Sequence, residues 1–126
     1  MIILVGVAYG VIGIGVAALS DPKHFLLWRM AAWVISAALY AAHIGYEHYG
    51  LKSAPRATAL HVAGAVALGA FAVALAANVH SLFAATHGQQ PRLVLALVAF
   101  PVITAIPAFL VAFAVAAALA RWWRRA

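Results

Sequence analysis

Cysteine is absent from this chain and acid nearly so: its 126 residues hold no cysteine and two carboxylates, Asp21 and Glu47. Without cysteine there is no disulfide framework, no thiolate metal site and no thiol redox chemistry. With two acids far apart in sequence, paired-carboxylate catalysis has no partners to draw on. No serine–histidine–aspartate constellation and no phosphate loop is present either, so the expectation is a protein that is not an enzyme. Charge of both signs is scarce. Charged residues make up 8% of the chain, where a soluble domain carries roughly a quarter to coat its surface. The solvent for most of this surface must be lipid.

The eight Lys and Arg residues leave a net charge of +6, but they sit singly between apolar runs. The one cluster is Arg121, Arg124 and Arg125 at the C-terminus. That arrangement suits attachment to anionic headgroups and not the continuous basic patch that nucleic acid requires. The expected partners are therefore the bilayer and other membrane subunits, or a second copy of the chain.

What the sequence has in abundance is apolar residues, 68% of the chain, with a mean hydropathy of +1.07. They fall into four runs, each near the ~20 residues that span a bilayer core. The first, about residues 2–19, has no Lys or Arg before it and reads as a retained helix, not a leader. Ser20, Asp21 and Pro22 then form a cap and a first-turn proline for a helix over about 22–49, stopped by Gly50. Ser53 and Pro55 open a third helix over about 56–80. The polar stretch from Thr86 to Pro91 is a turn, and a fourth helix covers about 92–120, where Pro101 and Pro107 are expected to kink it. The fold class predicted is all-α, one domain over 1–126, an integral membrane bundle of four transmembrane helices running up-down-up-down.

Four spans put both termini on one side. Lys52, Arg56 and the three C-terminal arginines lie on that side, against Lys23, Arg29 and Arg92 on the other. The excess of five over three places both termini in the cytoplasm of a multi-pass protein of the plasma (inner) membrane. Trp28, Tyr46, Tyr49, Trp122 and Trp123 fall near span ends, as interfacial aromatics do. On helix 1, Gly6, Gly10, Gly13 and Ala17 share one face, a groove that admits another backbone. Gly64, Gly69 and the alanines of helix 3 are the natural partner.

The chemistry-bearing feature is a polar stripe on helix 2. Arg29, Ser36, Tyr40, His43 and Glu47, with Trp33 among them, follow steps of three and four and fall within ~40° of one line. Polar side chains on one face of a span are being hidden from lipid, either to pack or to act. The stripe predicts Tyr40 and His43 buried against helix 3 or helix 4, with helix 3 lying antiparallel beside helix 2. His61 then becomes the nearest ionisable group to His43.

Two such histidines at equal depth could ligate a b-type haem, and His43, Glu47 and His61 could bind a divalent metal; the expectation is that there is no cofactor. Arg29 and Glu47 lie ~27 Å apart along one helix. An antiparallel pair of copies would let each Arg29 face the other chain's Glu47. Three functions follow: an accessory or assembly subunit of a larger membrane complex, a small proton-coupled or ion transporter using the stripe, or a haem- or metal-bearing electron-transfer anchor.

Overall fold

Helix α1 spans Ile2–Leu19, α2 Phe25–Gly45, α3 Pro55–Phe83 and α4 Gln90–Trp123 in a computed structural model that describes residues 1–19, 22–83 and 90–123. No strand occurs among the described residues. With the turns that extend it, α2 reaches Gly50, and all four helices are long and apolar enough to cross a membrane. Ser20, Asp21 and the residues from Thr86 to Gln89 lie outside the described residues. A single 3₁₀ turn, Pro22–His24, leads into α2. Helix α4 is longer than predicted and stays continuous through Pro101 and Pro107. Between the two prolines the Thr104 hydroxyl donates back to the carbonyls of Phe100 (2.8 Å) and Pro101 (3.1 Å).

Small residues decide how α1 meets α3. A Cβ on Gly69 would lie 2.4 Å from Tyr9 Cβ, and one on Gly13 would lie 2.5 Å from Val73 Cγ2. A Cβ on Gly6 would lie 2.8 Å from Leu68 Cβ and 3.2 Å from the Ala65 carbonyl, and one on Gly10 3.0 Å from Ala72 Cβ. Position along α1 rises with position along α3, so the two helices run parallel. Close backbone approach of this kind replaces the hydrophobic drive that lipid cannot supply. Gly6, Gly10 and Gly13 thus pack where the pattern of helix 1 predicts, while Ala17 is exposed.

Helix α3 is the centre of the structure, packed along one side by α1 and along another by α4. Ala59, Val62 and Ala65 of α3 and Ala112 and Ala116 of α4 are fully buried. At the far end buried Asn78 donates to Leu93 O at 2.6 Å and to Ala74 O at 2.9 Å, tying the end of α3 to the start of α4. The short connection between α2 and α3 predicts that these two lie side by side, and here the structure differs. Helix α2 meets α3 and α4 mainly at its C-terminal end, where Ile44 joins Ala59, Val62 and Ala112, flanked by Tyr40, Phe109 and Leu119. Its N-terminal half shows Phe25, Leu26, Leu27, Met30 and Trp33 outward.

The stop of α2 also differs from expectation. Residues Tyr46–Gly50 form a π-helical turn, closed by Leu51 N–H on Tyr46 O at 3.1 Å and Ser53 N–H on Glu47 O at 3.0 Å. Gly50 does not take the left-handed conformation; Lys52 does, at φ 51°. A side chain there costs about 1–2 kcal/mol where glycine would be at ease. The Gly50 position is instead crowded by the Tyr46 ring, 3.3 Å from where its Cβ would be.

Candidate functional site

The π-helical turn sets the site. A π turn spreads its residues over one extra position, and such turns recur where a helix must aim a side chain. Here the turn carries Glu47 into the angle between α2 and the first turns of α3, where it is 1% exposed, and it is among the largest side chains wholly inside the bundle. Burying a carboxylate without partners is prohibitive. The neighbouring residues supply them.

Ser53 Oγ donates to Glu47 Oε2 at 2.8 Å, and its backbone N–H already holds the Glu47 carbonyl. The serine is thus clamped to the glutamate twice. His61, two turns into α3, places Nδ1 3.0 Å from Glu47 Oε1. A carboxylate only accepts, so this geometry puts the His61 proton on Nδ1. His43, one turn before Glu47 on α2, brings Nε2 to 3.8 Å from the same Oε1. That is an electrostatic contact, beyond hydrogen-bond reach. Neither ring nitrogen of His43, which is 2% exposed, has a hydrogen-bond partner. The side chain of His61 is 41% exposed. One carboxylate oxygen therefore connects a histidine open to the surroundings with a histidine sealed inside.

The predicted stripe divides at its middle. Tyr40, His43 and Glu47 turn inward as expected, and the Tyr40 hydroxyl donates to the carbonyl of Ala108 on α4. Ser36 is half-buried. Arg29 is exposed, its guanidinium 5.3 Å from the Phe25 ring centroid, and Trp33 is 72% exposed. The nearest ionisable contact of His43 is Glu47, not His61, because the acid reaches both rings. Glu47 is bonded within its own chain, so an intermolecular Arg29–Glu47 pair would have to displace Ser53 or His61 from the carboxylate.

Ser53 is the site residue that the sequence reading missed, having been assigned to open α3. Its signal was its place six residues after the glutamate, which becomes meaningful only once the intervening turn is π-helical. Outside the cluster, Thr58 and Tyr9 also carry buried polar groups. Both bury hydroxyls without a hydrogen-bond partner.

Serine, glutamate and histidine are the residue types of a hydrolytic triad, but the connectivity is wrong for one. The acid sits in the middle, and the serine proton points at the acid and not at the imidazole that would have to remove it. No group of three or more His or acidic side chains among the described residues is arranged to hold a metal ion. What the arrangement can do is hold one exchangeable proton between a buried carboxylate and two imidazoles.

Fold and site together define an all-helical chain of four helices, each long and apolar enough to cross a membrane, with an acid-centred histidine cluster at one end. No family model, curated protein or solved structure matches it.

Proposed function

We propose that this chain is a non-enzymatic integral membrane protein of four up-down-up-down spans whose Glu47–His61–His43 cluster is the proton-exchanging site of a small proton-coupled or ion transporter. The observation that carries this reading is the carboxylate itself. Ionisable residues inside a span are expensive and belong to function by default. This one has a half-open histidine on one side and a sealed, unpartnered histidine on the other. Protons would reach Glu47 through His61, and His43 would take the proton inward. Met1 and Trp123, the outermost described residues, lie on the cluster's side, and on this reading the excess of Lys and Arg sets that side in the cytoplasm of the plasma (inner) membrane.

The test is proton uptake by proteoliposomes carrying the purified chain and an internal pH-sensitive dye. Under an imposed potential the native chain acidifies the lumen, and Glu47→Gln, which keeps shape and loses the proton site, does not. Equal rates for both proteins overturn the reading.

A second reading is favoured by the outward half of α2. Arg29 and Trp33 face away from the bundle at a level where one chain offers them little cover. An accessory or assembly subunit would seat that face on another membrane subunit or on a second copy. Absence of proton movement in liposomes, together with loss of a co-purifying partner in Arg29→Leu, would select it. The haem-bearing reading needs both imidazoles turned to one iron, whereas here both approach Glu47. The expected absorbance spectrum of the purified chain has no Soret band.

A further inference from the structure

Beside the glutamate cluster, and separated from it by Ser53, lies an open cavity of about 520 Å³ lined by His48, Tyr49, Lys52, Ser53, Ala120 and Trp123. It sits between the α2–α3 turn and the last turn of α4. Its walls are rich in donors: an ammonium, an imidazole, a phenol and an indole. Among the described residues no acidic side chain lines it. The chain has only two acids, and the described one, Glu47, is turned away from the cavity and held by Ser53 and His61. Lys52 makes no ion pair among the described residues. The backbone there is left-handed, a conformation that glycine or asparagine adopts more easily. A cation nevertheless occupies it, and its side chain forms a wall of the cavity.

The rim is aromatic. Tyr49 meets Trp123 edge to face at 6.1 Å and His48 at 4.8 Å. Around it Leu51 and Trp122 are exposed and apolar, and Arg121 adds positive charge at the same end of the bundle. A cationic pocket with an aromatic lip, at the end of four apolar helices, has the chemistry of a phospholipid headgroup site. We infer that the cavity binds the phosphate of an anionic phospholipid of the phosphatidylglycerol type, with Lys52 as the charge that selects it. The phosphodiester faces Lys52 and His48, and the glycerol and upper acyl chains lie against Tyr49, Trp123 and Leu51. A headgroup with its own cation, such as phosphatidylcholine, would bring like charge to Lys52. Free phosphate has nothing to set against the aromatic rim.

The experiment is native mass spectrometry of the full chain, delipidated in detergent and titrated with phosphatidylglycerol or phosphatidylcholine. The expected result is one strongly retained phosphatidylglycerol and no comparable retention of phosphatidylcholine. Lys52→Asn keeps the left-handed backbone and removes the charge, so affinity should fall about fivefold, the worth of one cation near an anionic headgroup. Arg56→Gln, at the same end but outside the cavity, should change it less than about twofold. Circular dichroism identical to the native chain confirms that both variants fold. Equal losses in the two variants, equal retention of the two lipids, or displacement of the lipid by excess inorganic phosphate each overturns the assignment.

Discussion

Replacing Glu47 by alanine is the most direct challenge to the site. The change removes a side chain that is 1% exposed and holds two hydrogen bonds, one from Ser53 and one with His61. Breaking a buried charged interaction from one side costs about 3–5 kcal/mol, because the partners are left desolvated. The figure is lower here, since the His61 side chain is 41% exposed and can turn to water or headgroups. Ser53 is only partly buried as well. About 2–3 kcal/mol remains, including the void left by the side chain. Glutamine at the same position keeps the volume, accepts from Ser53 and donates its amide to His61 Nδ1 once that ring carries its proton on Nε2. It loses the charge-assisted part of both bonds, about 1 kcal/mol. The assay is equilibrium unfolding in mixed micelles with increasing dodecyl sulfate, followed by helical circular dichroism. The expected order of stability is native, then Glu47→Gln, then Glu47→Ala. An alanine variant as stable as the native chain refutes the reasoning, and so does a glutamine variant as damaged as the alanine one.

Three further variants can be read from the same titration. Gly69→Ala places a Cβ 2.4 Å from Tyr9 Cβ and 3.2 Å from the Gly6 carbonyl, so α1 and α3 must separate; a loss of about 1–3 kcal/mol is expected. Gly15→Ala, which meets nothing within 4 Å, should be neutral or stabilising by up to about 1 kcal/mol, and a comparable loss in both variants would show that the close approach is not what matters. Asn78→Leu removes both donated bonds at the far end of α3 and should lower stability by about 1 kcal/mol, the usual worth of a polar tie between spans. No change there would mean that apolar contacts alone join α3 to α4.

Much of this architecture was legible because bilayer spans are written in hydropathy and length, and because glycine spacing on helix 1 marks a face. The inward turn of Tyr40, His43 and Glu47 was legible from period alone. Arg29 and Trp33 were not, because period identifies a face without saying how far along the helix a neighbour covers it. Helix α2 joins the buried core with α3 and α4 only near its C-terminal end, and its face at Arg29 and Trp33 stays exposed. Two other features were hidden for a local reason. The left-handed residue fell on Lys52 and not on Gly50, and Ser53 met Glu47 across six positions, because the intervening turn is π-helical. No residue preference announces that turn in advance.

That turn also has a meaning at the level of the gene. A π-helical turn is an α-helical turn with one residue to spare, so Tyr46–Gly50 behaves as a one-codon insertion accommodated without breaking the helix. Losing a single codon there would restore α-helical winding and rotate everything on its far side by ~100° relative to α2. Ser53 and His61 would be carried away from the carboxylate they now share, while the second span lost one residue and all four stayed long and apolar enough to cross a membrane. Chains that look alike by every bulk measure could therefore differ wholly at the cluster, and the length of the segment from His43 to Ser53 is the character that tells them apart.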